Sequence, residues 1–269
     1  MPELLPSTRQ NEFPAGRLLV LAAHPDDEVV GCGTLLRRTV NTILVFATDG
    51  APNDRKFWSS YGSREDYAGV RKAEAISAAA VAGVKQTQFL DIPDLELFRN
   101  LIKAHAEISD MATRHRPDTI LTHAYEGGHP DHDACSFLAW MVGRERRVPV
   151  WEMPLYHRAN GDRAWQQFIP RSEMAAGRSE EVALTPTLPE LQRKRAMVAA
   201  YVSQGEVLKN FDVSREVFRP QPVYDFTKPP HEGRLNYEEW HWPMTGQEVS
   251  RAFSVILSNE RATALGRSR

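Results

Sequence analysis

Apolar residues in the first 155 positions fall into short runs separated by longer stretches of mixed polarity. Residues 18–23 (LLVLAA) and 42–47 (TILVFA) are continuous apolar runs, as expected of strands buried on both faces. Residues 87–92 (TQFLDI), 119–122 (TILT) and 148–155 (VPVWEMPL) predict three further strands. Helical signals lie between them, at 31–39, 64–82, 97–115 and 133–143. The alanine-rich segment 64–82 is stopped by Gly83. Segment 97–115 offers Leu97, Leu101, Ile102, Ile108 and Met111 as an inward face and ends at Arg116-Pro117-Asp118. Pro25 closes the first strand and Pro93-Asp94 the third, because proline cannot donate to a ladder. Strands alternating with helices of this length imply an α/β fold with a parallel sheet wound by right-handed crossovers. Ligands in such sheets sit beyond the carboxyl ends of the strands.

The rest of the chain is less periodic. Residues 51–63 (APNDRKFWSSYGS) form a long, aromatic-rich loop, a candidate lid or binding loop. Residues 189–208 read as one helix with proline in its first turn, and their Arg193-Lys194-Arg195 run is expected on a solvated face. After residue 211 aromatics and prolines recur. No convincing boundary appears, so the expectation is one domain over 1–269, with an N-terminal arm at 1–16 and a mixed, irregular C-terminal extension from about 206 to 269.

Composition narrows the function classes. The chain has 269 residues, 42% hydrophobic and 25% charged, and a net charge of −2, which gives no reason to expect nucleic acid or a membrane surface as partner. No apolar stretch approaches the roughly 20 residues needed to span a bilayer, and the N-terminus lacks a signal-peptide pattern. Two cysteines, Cys32 and Cys135, suit small buried apolar positions in a reducing compartment. The expected location is the cytoplasm. Nothing in the chain speaks against a homo-oligomer.

Two of the apolar runs deliver the same chemistry. The first ends in His24-Pro25-Asp26-Asp27-Glu28, and the strand at 119–122 leads to His129-Pro130-Asp131-His132. Zinc takes imidazole nitrogen and carboxylate oxygen, and a catalytic site keeps three protein ligands plus a water. His24 and Asp27, three apart on a turn, with His132 as third ligand, make a set for one zinc ion per chain. Asp26 is then the adjacent carboxylate able to take a proton from metal-bound water. His129 could face the open position as an oxyanion-stabilising imidazolium, with Asp131 accepting its other hydrogen bond. Glu28 is expected to be supporting. The remaining histidines are read as structural, with His123 the nearest to the site.

AHPDDE at 23–28 and GGHPDHDA at 127–134 together resemble the signature of PIG-L/LmbE-type zinc-dependent de-N-acetylases. Similarity extends through Arg71-Lys72-Ala73-Glu74, Ile92-Pro93-Asp94 and KRAMVAAYVSQ in 194–204. The resemblance implies a Rossmann-like three-layer fold and hydrolysis of an acetamido group on an N-acetylglucosamine-type sugar or its conjugate. It carries the metal onto His24, Asp27 and His132, the base onto Asp26, and the oxyanion role onto His129 supported by Asp131. By position, Arg71 and Asp94 look like sugar-contacting residues, and Tyr125 is the nearest counterpart of a tyrosine used near the oxyanion. The loop ATDGAPND departs from a Thr-x-Gly-Glu pattern found in many members. Phe57, Trp58, Tyr61 and Trp240-His241-Trp242 are candidates for stacking on sugar faces, with core or interface packing the stronger expectation for the tryptophans.

Three other readings compete: a two-metal phosphoesterase using the same His/Asp cluster, a non-haem iron site, and a nucleotide-binding Rossmann protein suggested by Gly31-Cys32-Gly33. The last lacks the third glycine of that fingerprint, and its acidic cluster would repel phosphate.

Overall fold

The computed structural model describes residues 13–14, 16–39, 41–170 and 181–266, so most of the expected N-terminal arm lies outside the described residues. The elements run β1 (Leu18–Ala22), α1 (Asp27–Gly31), α2 (Gly33–Arg38), β2 (Thr42–Phe46), α3 (Arg64–Ala82), β3 (Gln86–Phe89), α4 (Leu101–His115), β4 (Thr119–His123), α5 (Pro130–Arg146) and β5 (Val150–Met153). They continue through β6 (Tyr156–His157), β7 (Ala164–Trp165), β8 (Val182–Leu184), α6 (Leu188–Ala199), α7 (Gly205–Leu208), β9 (Glu216–Pro220), α8 (Asn236–Glu239) and α9 (Gly246–Gly266).

A seven-stranded sheet in the order β3-β2-β1-β4-β5-β9-β8 organises the chain. Strands β1 to β5 are parallel, and β9 and β8 extend the sheet antiparallel. Strands β1, β2 and β4 are buried throughout, as their apolar runs require. Apolar clusters cover both faces. One holds Leu19, Leu21, Val45 and Ile120 with α4, α5 and α9; the other holds Val20, Ala22, Leu44 and Phe46 with α1, α2, α3 and α6. This is the expected three-layer α/β architecture.

The chain winds outward from β1 through β2 to β3, then returns to β4 on the other side of β1. Neighbouring strands therefore diverge at the β1/β4 boundary, the switch point where open α/β sheets bind ligands.

Several local expectations change. Ile102 is 74% exposed, whereas Leu101, Ala104, Ile108 and Met111 face the core; the inward stripe of α4 takes position 104 and leaves 102 outside. The expected helix at 31–39 is α2 from Gly33, preceded by the separate α1 from Asp27, and the one at 133–143 begins earlier, at Pro130. Asp27, Asp131 and His132 therefore lie on first helical turns, while Asp26 and His129 are N-caps and His24 precedes α1. The expected helix 189–208 is α6, a 3₁₀ turn and α7. Lys194 is wholly buried, not solvated, and pairs with Glu216 at 2.7 Å. Glu216 in turn accepts from the N–H groups of Thr34 and Leu35, which ties β9 to the start of α2. Gly31 and Gly33 serve close packing: a side chain at 31 would strike Met153, and one at 33 would press on Lys194. Their spacing reflects helix contact rather than a phosphate cradle. The C-terminal extension holds the 21-residue α9.

Candidate metal centre

Strand β1 hands its chain directly to His24, and α1 starts at Asp27. The paired strand β4 ends at His123, and a six-residue loop leads to α5, with His129 as N-cap and Asp131 and His132 in the first turn. Two segments a hundred residues apart thus leave the sheet side by side.

The three expected ligands lie close in pairs through Asp27. Among the described residues the donor groups lying mutually within 4.8 Å are His24–His129–His132, His24–Asp94–His129–Asp131 and Asp27–His123–His132, none of which holds all three. Asp27 Oδ2 lies 3.1 Å from His24 Nδ1, and Asp27 Oδ1 lies 3.3 Å from His132 Nε2. Nitrogens of His24, His129 and His132 lie within 4.8 Å of one another. All four side chains are buried. His132 Nε2 has no hydrogen-bond partner, an expensive position for a buried polar atom. Burial opposes ionisation of Asp27, but His132, His123 and His24 outweigh it and hold the carboxyl well below its ordinary range. Burial pushes His132 down, leaving a neutral imidazole. Asp27 and His132 are in the protonation states a divalent cation needs. Burial opposes protonation of His24, but Asp94, Asp27 and Asp131 outweigh it and raise that imidazole well above its ordinary value, so these residues fit a metal ion that displaces the His24 proton.

His123 approaches Asp27 Oδ2 at 3.4 Å and could be mistaken for a fourth ligand. Its Nε2 already accepts the N–H of Ala23 at 2.9 Å. With that lone pair engaged, His123 acts as a wall: its ring stacks on His132 at 4.0 Å, 5° from parallel, and fixes the orientation of that imidazole.

Asp26 sits beside this set in a strained backbone conformation, φ 130°, ψ −26°. Its N–H donates to Glu28 Oε2 at 3.1 Å, and the Tyr201 hydroxyl donates to Glu28 Oε1 at 2.6 Å. Arg71 reaches across from α3 and donates to Asp26 Oδ2 at 3.1 Å, Pro25 O at 2.5 Å and Gly50 O at 2.8 Å. Burial raises the Asp26 carboxyl to about 7, with Arg71 restraining the rise and Asp27 adding to it. Arg71 is therefore placed against the carboxylate of Asp26, buried and already occupied.

The other expected site residues divide. Asp94, after β3, lies 3.1 Å from His24 Nε2 and 3.5 Å from His129 Nε2. Despite burial, His24, His129 and Arg71 keep it ionised. Asp131 accepts from the N–H groups of Leu95 and Leu97 at 2.7 and 3.0 Å and faces His24 Nε2 at 3.3 Å. The expected bond from His129 to Asp131 is absent, the two groups being 3.9 Å apart. His129 Nδ1 instead accepts the N–H of Asp131 at 3.1 Å, as an N-cap does. Its remaining proton is thereby placed on Nε2, facing Asp94. Burial, with His24 beside it, holds His129 well below the ordinary imidazole value, so it is a neutral donor rather than the expected imidazolium. Tyr125 lies in the core, its ring between Phe226 and Tyr224 and its hydroxyl donating to Lys228 O at 2.7 Å. The structure does not bring it to the cluster.

Three residues at the site escaped the sequence reading of roles, while Trp242 was among its stacking candidates. Tyr156 packs on His132 with ring centroids 5.3 Å apart. Burial first, then Asp27, Asp26 and Asp94, push its hydroxyl well above its ordinary range. Trp242 meets the His129 ring edge-on at 4.8 Å. Tyr201 and His123 complete the set. The short reach from His123 to the second cluster and the Trp240-His241-Trp242 run were visible in the sequence.

Residues 19–142 match the family model described as PIG-L, GlcNAc-PI de-N-acetylase. That match spans just under half of the chain. A probable N-acetyl-alpha-D-glucosaminyl L-malate deacetylase of Bacillus cereus is 29% identical over 146 residues, covering 52% of this chain and 66% of that protein. A 1D-myo-inositol 2-acetamido-2-deoxy-alpha-D-glucopyranoside deacetylase of Nakamurella multipartita is 27% identical over 264 residues, covering 78% of this chain and 87% of that one. Among solved structures, a deacetylase of teicoplanin biosynthesis matches with a TM-score of 0.62 at 17% identity, over 78% of this chain and 99% of that one. The PIG-L match spans both His-Pro-Asp clusters and stops within α5. The solved structure shares the fold.

Proposed function

We propose that this protein is a zinc-dependent hydrolase that removes the acetyl group from the amide nitrogen of an N-acetylglucosamine-type amino sugar or its conjugate. The observation that carries this reading is Asp27 set between His24 and His132, beside a separate carboxylate, Asp26, and a separate imidazole donor, His129. The PIG-L match and the named activities of the two relatives support the same chemistry.

His24, Asp27 and His132 would hold the ion, which when bound supplies a water of lowered pKa and polarises the acyl carbonyl. Asp26 accepts the proton of the attacking water, a role suited to a carboxyl raised towards neutrality. His129 Nε2–H donates to the oxygen that gains charge as the carbonyl carbon becomes tetrahedral. The C–N bond then breaks, and the proton held on Asp26 passes to the departing amine. The products are acetate and a free amino sugar. Arg71 and the Tyr201–Glu28 pair keep the Asp26 carboxylate aimed. Asp94, ionised between His24 and His129, is placed to accept a sugar hydroxyl.

The phosphoesterase alternative needs a second ion. His24, Asp94, His129 and Asp131 do approach within 4.8 Å of one another. Both Asp131 oxygens are already engaged by backbone N–H groups, which argues for one ion. The deciding experiment incubates zinc-restored protein with N-acetylated amino sugars and their conjugates and measures acetate and primary amine. Equimolar release of both supports the proposal. Phosphate release from sugar phosphates with no amine formed would overturn it.

A further inference from the structure

The 3₁₀ turn Val202–Gln204, between α6 and α7, lies at the surface, with Val202 82% exposed. Tyr201, Ser203 and Gln204 nevertheless spend their side chains on the elements that frame Asp26. Tyr201 donates to Glu28, which holds the Asp26 N–H. Gln204 is buried and donates from Nε2 to the Tyr67 hydroxyl at 2.7 Å. Tyr67 stands one turn before Arg71 on α3, and its hydroxyl also accepts from Arg71 Nη1 at 3.4 Å. Ser203 fastens the turn to the same helix, its N–H and hydroxyl donating to the two oxygens of Glu74 at 2.8 and 2.6 Å. Gln204 Nε2 donates to Ser203 Oγ as well, at 3.1 Å, so its amide cannot rotate without losing two bonds.

The end of α6 does not need these side chains as caps. The N–H groups of Ala200, Tyr201 and Gln204 already bond back to Met197, Val198 and Tyr201. A buried amide beside a buried hydroxyl must be paired, and here the pairing ends at a guanidinium. Arg71 Nη2 donates to Pro25 O and Asp26 Oδ2, and Nη1 to Gly50 O and the Tyr67 hydroxyl. Three of these four acceptors belong to the loops after β1 and β2. Tyr67 is the acceptor supplied by the helix that carries Arg71, and its hydroxyl is itself held by a second residue. A guanidinium is planar, so fixing Nη1 on two acceptors also fixes the direction in which Nη2 meets Asp26.

We propose, on the deacetylase reading above, that Gln204 is a positioning residue: acting through Tyr67, it sets the plane of the Arg71 guanidinium and thereby the aim of the Asp26 carboxylate. The turn then reaches Asp26 by two routes, its backbone through Tyr201 and Glu28 and its carboxylate through Gln204, Tyr67 and Arg71. Each link is a direct contact, as coupling between separated residues requires. Residues outside the 19–142 match thus govern one inside it.

Gln204→Met keeps the length of the side chain and removes its donor, and Tyr67→Phe removes the hydroxyl alone. In zinc-restored protein acting on N-acetylglucosamine, each should lower kcat about tenfold and leave KM within about twofold. The double variant should be no slower than either single one, and Gln204→Met should cost nothing further in an Arg71→Met background. Val202→Ala, on the exposed side of the turn, should leave kcat unchanged. A readout independent of turnover is the Arg71 Nε–H resonance in ¹H–¹⁵N spectra, assigned by its loss in Arg71→Met. It should shift in Gln204→Met and Tyr67→Phe and stay in Val202→Ala; Tyr67→Phe carries both readouts should Gln204→Met not fold. An unshifted resonance or unchanged kcat in the folded variants, or a kcat loss that persists with Arg71 replaced, would overturn the inference. A shifted resonance with no amine released from any sugar would retain the link from Gln204 to Arg71 and sink the deacetylase reading.

Discussion

On the proposed mechanism Asp26 has a demanding task for a non-glycine residue: its backbone occupies a region that costs about 1–3 kcal/mol, and its carboxylate would have to meet a water beside the ion. Asp26→Asn keeps the shape and removes the base. Acetate release should fall by about 10²–10⁴-fold while metal content by elemental analysis stays near wild type; undiminished turnover would strike Asp26 from the mechanism. The Arg71 guanidinium lowers the Asp26 pKa, so its removal must raise it. The acid limb of the kcat/KM profile should therefore move to higher pH in Arg71→Met, and a limb that stays in place or moves down would contradict the contact. Losing His129 removes one donor to the developing oxyanion. His129→Ala should cost about 10²–10³-fold, mainly in kcat.

At the scale of elements, α6 shows how a surface helix is fixed. Glu190 accepts from the N–H and hydroxyl of Thr187 and receives the Arg38 guanidinium at 2.7 and 2.9 Å. Arg38 above all holds the Glu190 carboxyl down at about 2, against an ordinary 4.5. A carboxyl depressed on folding contributes stability above its unfolded value and loses it as pH falls through the folded one. Glu190→Gln should thus lower stability by about 1 kcal/mol near neutrality, and chemical denaturation should show the gap closing between pH 4.5 and 2. Element by element, the sequence is legible where one face or both faces are buried. The apolar runs of β1, β2 and β4 announce a sheet, and 64–82 is found at its observed bounds. The α9 stripe is thinner, with Val249 and Phe253 its buried apolar residues, and the proline-rich stretch before it hides the helical period. Tyr201 and Tyr156 were not legible as site residues, because their meaning lies in partners 173 and 24 positions away, Glu28 and His132. Lys194 misled for the same reason: a cation in a charged run reads as solvated until Glu216 is brought beneath it.

For the molecule as a whole, the proposed ligand set joins residue 24 to residue 132 across the boundary between β1 and β4. A bound ion then stabilises the native state by mass action, about 2.7 kcal/mol at a hundredfold excess over Kd. Chelation should lower the melting temperature by on the order of 5 °C, and zinc should restore it at one equivalent per chain. Indifference to chelator, or two equivalents bound tightly, would argue against the site as drawn. The same layout separates two inheritances. The residues proposed to hold the ion and to act as base all fall within the first 132 positions, whereas the outer aromatic rings come from β6, β7 and the segment around α8, joined to the inner residues at Gly127 and Gly128 through Asn236. On the proposed function, a lineage can exchange that outer segment without disturbing the residues that would hold the ion. Grafting residues 221–245 between relatives should move preference and leave the reaction itself in place.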